Sequence, residues 1–417
     1  MKVVLFCQSI VSCWNNGHAH FLRGITRELL RLGMEVVVHE PKDGWSRMNA
    51  VKDGGAAALA EAAKFVSGAA VHTYDANQID LDWATDGADL VIVQEWNAPA
   101  LIAAIGQHRV GARYTLLFHD SHHRSVTAPD DLGTSDLNGY DGVLAFGEAI
   151  RQIYLKRGWA RRAFTWHEAA DTTLFRPAVA APQDTDLIWI GNWGDDERSR
   201  ELHTYLIEPA AALGLRTRIH GVRYPQEVRA VLAERGIAYG GWLPNHRAPE
   251  AYARARVTVH VPRRPYCEVL RGIPTIRVFE AMACGIPLIS SPWHDEERLF
   301  PEGAYLSAAT RCEMSDALSR VLRDKDLAQD LIATGLQAIR TRHTCAHRVQ
   351  QLLSIVEEVS GRTLWKRRRV GKAKRAHQTP RAGGHGAQER AFAHPTGDSS
   401  RSESALDAAS VMQPVPQ

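Results

Sequence analysis

The sequence predicts an α/β protein of two doubly wound domains facing each other across a cleft, followed by a disordered tail. Three observations carry this. Apolar strand-like runs alternate with helical stretches from the N-terminus onward, the pattern of a parallel sheet covered on both faces. The alternation pauses at 170–186, where Pro177 and Pro182 fall and no long apolar run occurs, and then restarts. With 417 residues, the chain is also too long for one comfortable core and suited to two.

In order, the expected strands of the first domain are Val3–Cys7, Glu35–His39, Leu90–Gln94, Tyr114–Phe118, Gly142–Ala145 and Ala163–Trp166, with helices over 18–32, 97–108 and 147–157. The second domain starts with strand Leu187–Ile190 and a long helix over 196–213. Strand Arg216–His220 and helices over 225–235 and 247–254 come next. Strand Val257–Val261, a helix over 275–283 and strand Pro287–Ser290 follow. Helices fill most of 311–359, and the final one is expected to pack back on the first domain. The expected boundaries are 1–177, 178–361 and 362–417. Ligands of doubly wound sheets bind at the carboxyl ends of the strands, so the cleft between the two domains is the expected active site.

Hydrophobic content of 45% and charged content of 23% are those of an ordinary globular protein. No apolar run approaches the roughly eighteen residues of a spanning helix, and the first apolar stretch reads as a buried strand rather than a signal peptide. Six scattered cysteines without a C-x-x-C pair argue against a zinc site or a disulfide framework and for the cytoplasm. The net charge of +3 is uneven: from Arg362 onward there are eleven Lys/Arg against four Asp/Glu, so the rest is mildly acidic. The basic character therefore belongs to the tail and gives no support to nucleic-acid binding. The tail is poor in apolar periodicity and is read as a solvated segment, with contact to an anionic membrane or polymer as the alternative.

The most informative segment is Arg277-Val-Phe-Glu280-Ala-Met-Ala-Cys-Gly285-Ile-Pro287. It reads as a helix closed by Gly285 and followed at once by an apolar strand. Arg277 and Glu280 are spaced to share one helix face, where a carboxylate can accept hydrogen bonds from ribose hydroxyls. In Ile190-Gly191-Asn192-Trp193-Gly194, the two glycines are read as permitting close backbone approach to a diphosphate at a helix N-terminus. Arg198, Arg223, Arg263, Arg264 and Arg271 are its candidate charge partners, with Arg198 and Arg277 first and Arg263 next. In the first domain, Ser12–His20 opens a helix after the first strand, so that Asn16, Gly17 and His18 line a turn. His119 and Asp120 end another strand, with His122 and His123 beyond them taken as surface residues. Glu95 or Asn97, at a third strand end, is a candidate for an acceptor hydroxyl.

Glu280-Ala281-Met282-Ala283-Cys284-Gly285-Ile286-Pro287 resembles the Glu-Ala-Met-Ala-x-Gly-x-Pro helix of GT-B glycosyltransferases, especially the retaining nucleotide-sugar transferases of glycosyltransferase family four. Gly241-Trp242-Leu243-Pro244, the run Tyr252–Pro262 and the D-x-x-x-F-x-P of Asp171, Phe175 and Pro177 are similar to that family in order and spacing. Trp14–Gly24 and Ile273–Glu280 look like the CgeB-like spore-maturation branch. The likeness covers residues 1–355. It implies a GT-B fold of two Rossmann-like domains, a nucleotide diphosphate sugar as donor substrate, no cofactor, and a histidine contacting the transferred sugar, matched best by His119. The acceptor (glycan, small molecule or protein) stays open. Two positions depart from the family. Gly272 stands where it has a second glutamate, with Glu268 the nearest carboxylate, and Asn192 replaces the first residue of its basic pair.

The chemistry expected is glycosyl transfer without a metal, since arginines and helix dipoles neutralise the diphosphate and no D-x-D motif sits on a strand-end loop. Retention of configuration is the preferred course, with His119 assisting; inversion needs a base, for which His18 and Asp120 are the candidates. The rival readings are a nucleotide-sugar epimerase and a non-catalytic binding protein that kept the fold.

Overall fold

The computed structural model describes residues 1–75, 78–133, 135–178 and 181–362; the tail from 363 on, including its expected disorder and membrane contact, lies outside them. The first lobe holds strands β1 (Lys2–Phe6), β2 (Glu35–Pro41), β3 (Ala70–Tyr74), β4 (Leu90–Gln94), β5 (Thr115–Asp120), β6 (Gly142–Ala145) and β7 (Ala163–Thr165). The second holds β8 (Thr185–Ile190), β9 (Thr217–His220), β10 (Ala238–Tyr239), β11 (Ala255–His260), β12 (Leu288–Ser290) and β13 (Leu306–Ser307). Among the described residues they form two sheets, ordered β3-β2-β1-β4-β5-β6-β7 and β10-β9-β8-β11-β12-β13, with every pairing parallel. Each sheet reverses direction of growth at one place, between β1 and β4 and between β8 and β11. These are the switch points where strand ends splay and ligands enter.

The central strands are apolar and buried on both faces, as β4 and β8 show with Leu90–Val93 and Leu187–Ile190. That explains why they were visible as continuous runs. Helix Trp45–Ala63 and strand β3 were not expected. The helix breaks at Gly55, whose φ is 67°, and buries only Ser46, Ala50 and Ala62, so it has no apolar stripe. β3 is an edge strand that buries only Tyr74. The long helix expected over 196–213 is instead broken into a 3₁₀ turn at Asp195–Glu197, a helical turn Ser199–Leu202, a π-helical stretch His203–Ile207 and Glu208–Ala212. Pro209 has no N–H to donate to Tyr205, so the turn before it widens.

The chain crosses between lobes twice. After β7 it runs through Ala170 to the second lobe, and after helix Lys325–Arg342 it returns, so that helix Cys345–Ser360 packs on helix His18–Arg31 of the first lobe. The two crossings touch as a parallel bridge: Ala170 N donates to His343 O (2.9 Å) and Cys345 N donates to Ala170 O (3.0 Å). Trp166 Nε1 donates to Arg348 O (2.9 Å), and Arg348 Nε returns a bond to His167 O (2.8 Å). Gly24 makes the helix packing possible, because a Cβ there would lie 2.4 Å from Cys345 Sγ.

Candidate active site between the lobes

A cavity of about 370 Å³ opens between the two switch points. The loops after β1, β4, β5 and β7 contribute Asn15–His18, Trp96, Ser121–His123 and Glu168; those after β8 and β11 contribute Gly191, Asn192, Arg198, Arg263 and Thr275–Arg277. A larger hollow of about 480 Å³ lies beside Gly285, Pro287 and Lys325 at the other end of helix Ile276–Cys284. We place the site in the smaller cavity, because the carboxyl ends of both sheets converge there.

The second-lobe wall is cationic. Arg198 is buried beneath it, its Cζ 5.3 Å from the Trp189 ring centroid, donating to Asn192 O and to Val261 O (3.3 Å). Burial pulls its pKa down to about 9, helped by the charge of Arg263, and its Nε has no partner among the described residues. Arg263 pairs with Glu197 and also reaches Gly194 O (3.3 Å). Burial pushes Glu197 up, but His123 close by and the paired Arg263 hold it at about 2. Thr275 caps helix Ile276–Cys284 without a side-chain hydrogen bond, and Thr275, Ile276 and Arg277 line the cavity, so the N-terminus of that helix and its dipole end lie at the cavity wall.

The first-lobe wall is neutral and aromatic. His18 and Glu168 lie side by side on it, with Nδ1 of the histidine 2.9 Å from Oε1 of the carboxyl. Burial pushes Glu168 up to about 8 and His18 down to about 3. Both shifts favour the uncharged pair. His18 Nε2 is buried and unpartnered.

Several expected positions are corrected. His119 does not reach the cavity. It is buried behind His18 (ring centroids 4.8 Å apart), edge-on to Trp166, with both ring nitrogens unpartnered. Asp120 is fully buried, accepting from Tyr154 OH (2.9 Å) and His122 N (3.1 Å). Burial raises it to about 6, and burial together with the Asp120 charge lifts Glu95 well above the carboxylate range. Glu95 accepts from Ser121 N (2.9 Å) and Asn97 binds Phe6 O (3.0 Å), so both shape the loops under the cavity. His122 and His123, read as surface residues, instead line the cavity, and His123 Nε2 lies 3.3 Å from Glu197 of the other lobe.

Glu280 differs most from expectation. It is fully buried, with one oxygen 2.8 Å from His20 Nδ1 of the first lobe and the other bound by Arg277. Burial raises its pKa, yet Arg277 and His20 hold it below the usual carboxylate range. It fixes Arg277 rather than facing the cavity. Gly285 is the left-handed cap of the helix (φ 69°), on the far side beside the larger hollow. Glu268 is exposed and outside the cavity. The glycines are packed closely by side chains. A Cβ on Gly191 would meet the Trp189 ring at 2.4 Å, one on Gly194 would meet Arg198 at 2.6 Å, and one on Gly17 would meet Ile276 at 3.1 Å. Asn16 bonds back to Ser9 O (3.0 Å) and Ser12 O (3.2 Å), while Asn192 reaches across to Asn15. Glu168 was missed, although it lies three residues past β7; the strand-end rule that singled out His119 would have found it.

Two parallel sheets of this order, meeting at a cleft with arginines on one lip and a histidine–carboxyl pair on the other, define the GT-B architecture. Residues 198–354 match the family described as glycosyl transferase-like. Sucrose-phosphate synthase from Thermosynechococcus elongatus superposes with a TM-score of 0.62 at 15% identity, covering 87% of this chain and 99% of that one. Anabaena Alr3699/HepE in complex with UDP gives 0.59 at 15% identity, covering 86% and 100%. The β-glucosyltransferase of phage T4 gives 0.55 at 12%, covering 86% and 99%. No curated protein sequence matches the chain.

Proposed function

We propose that the protein transfers a sugar from a nucleoside diphosphate sugar to an acceptor held by the first lobe. The observation that carries this is the convergence of Arg198, Arg263 and Arg277 with an uncapped helix N-terminus at the second switch point, which is a diphosphate-binding arrangement. UDP is present in the HepE complex, so uridine diphosphate sugars are the first donors to test. The barrier is departure of the diphosphate as positive charge grows on the sugar carbon. Fixed guanidinium groups and helix amides oppose the leaving-group charge without reorganising. This needs no metal. Glu280 acts by holding Arg277.

On the opposite wall, the His18–Glu168 pair shares one proton below about pH 8. If the proton is on Glu168, its hydroxyl donates to Nδ1 and the neutral ring carries its hydrogen on Nε2; if it moves to the ring, both nitrogens carry hydrogen. Either way His18 offers an Nε2–H donor to the sugar or the leaving oxygen and is no base. This supports the retaining course, with His18 in the place expected of His119. The test is a thermal-shift screen of nucleoside diphosphate sugars, followed by product analysis with and without acceptor. Stabilisation by a donor sugar, abolished in Arg198→Ala, supports the reading; no response to any of them sinks it. An epimer formed without acceptor would indicate an isomerase instead.

A further inference from the structure

Three tryptophans are exposed among the described residues, and two of them, Trp45 and Trp96, stand on the same cavity, whereas Trp83 does not line it. Trp45 is 42% exposed and Trp96 39% exposed, and both line the first-lobe side. Neither is loose. Trp45 begins helix Trp45–Ala63 and is held edge-on by Trp14 (ring centroids 4.8 Å), which is itself fixed by a bond from its Nε1 to Asp53 (2.6 Å). Trp96 is held by His122 edge-on at 5.1 Å and by the Arg124 guanidinium 5.1 Å from its ring centre. Exposed, braced aromatic surface beside a polar cavity marks a binding face.

The chemistry of the wall narrows what it binds. The cations that line the cavity (Arg198, Arg223, Arg263 and Arg277) all belong to the second lobe, and the first-lobe lining contains no Lys or Arg. The first-lobe cation on Trp96, Arg124, is already engaged by Glu95 O (3.2 Å) and Asp131 (3.9 Å), so an anionic acceptor, such as a lipid phosphate, finds no free cation there. Beside the rings stand Gln8, Asn15 and His122, which give and accept hydrogen bonds without carrying fixed charge. A pyranose matches this. Its C–H face is apolar and flat enough to lie on an indole, and its hydroxyls point outward to amide groups.

We infer that the acceptor is a neutral carbohydrate, seated with its rings against Trp45 and Trp96. The assignment rests on the transferase reading above and names the substrate class of its open side.

The full chain is examined by saturation-transfer NMR without donor. The probes are maltotriose, cellotriose and chitotriose as neutral sugars, glucose 1-phosphate as an anionic sugar, and 4-nitrophenol as a planar aromatic. Binding of at least one neutral trisaccharide is expected, weakened about tenfold by Trp45→Ala and by Trp96→Ala, the scale of one lost aromatic contact. The thermal response of both variants to a nucleoside diphosphate is retained. The inference is overturned if only the phenol or the phosphate binds, if no trisaccharide binds, or if trisaccharide binding is the same in both variants. Each of these with an intact nucleotide response refutes the platform alone. Loss of the nucleotide response in the wild-type protein refutes the transferase reading instead.

Discussion

Replacing Glu168 by Gln tests whether the buried pair on the first-lobe wall is built to be uncharged. Burial moves this carboxyl from 4.5 to about 8, and its side chain is only 7% exposed. Between those values the folded chain keeps a proton that the unfolded chain has released. A folded pKa raised in this way gives stability that is fully present below pH 4.5 and is lost as pH rises through about 8. The slope is about 1.4 kcal/mol per pH unit. Glutamine cannot ionise, and every other titrating group is common to both proteins. The stability of Glu168→Gln relative to wild type should therefore grow by about 2 kcal/mol between about pH 6 and pH 8. With an unfolding entropy of roughly 2.1 cal/mol/K per residue, that is a relative gain in Tm of about 3 °C over the described chain. Thermal melts of both proteins across that range measure it. A difference in Tm that does not change with pH would show that Glu168 is ionised in the fold, and His18 would then be free to act as a base.

Other outcomes follow from the same geometry. Transfer by the wild-type enzyme should fall as pH rises through about 8, when the ionised Glu168 carboxylate accepts a hydrogen bond from Nδ1–H of His18 and the neutral ring is left with no hydrogen on Nε2; a rate that climbs instead assigns His18 as a base. Arg198→Ala should lower kcat by about 10²–10³, the scale of one lost preorganised donor, and steady-state kinetics with a responding donor sugar decide it. Glu280→Gln leaves Arg277 and His20 without their charged partner and should cost about 3–5 kcal/mol in denaturant unfolding; a loss of activity at unchanged stability would restore Glu280 as a direct ligand of the donor. Gly24→Ala drives a Cβ against Cys345 and should cost about 1–3 kcal/mol, seen as earlier proteolysis of helix Cys345–Ser360.

The strands at the centre of each sheet could be read from the sequence because burial on both faces writes a continuous apolar run, as in Leu90–Gln94 and Leu187–Ile190. The place of the cavity followed from where those runs end. What lined it was less legible. His18 meets Glu168 across 150 residues and His20 meets Glu280 across 260, and such pairs leave no local periodicity. Glu280 was found by motif, yet its partner from the other lobe turns it away from the cavity. His119 and Asp120 sit at the expected strand end, but alternation sends them to opposite faces of the sheet, His119 against Trp166 and Asp120 against Tyr154, and neither lines the cavity. Gly191 and Gly194 are read from the sequence as sites of close approach to a diphosphate, whereas the side chains packed against them, Trp189 and Arg198, are not legible in the local sequence.

The bridge between Ala170 and Thr344 has a mechanical consequence. Both passages of the chain between lobes run through this one small patch, so it acts as a two-stranded pivot. Two crossings tied together oppose a swivel about either one, so the opening motion expected is a hinge rotation that parts the mouth while the root stays shut. The contacts that such a rotation must break first are the ones away from the pivot: Asn15 with Asn192, and His123 with Glu197. Helix Cys345–Ser360 travels with the first lobe although its sequence follows the second, like a strap buckled back onto the part it started from. A reporter pair on that helix and on β12 would therefore sense opening, whereas one on that helix and on helix His18–Arg31 would stay silent.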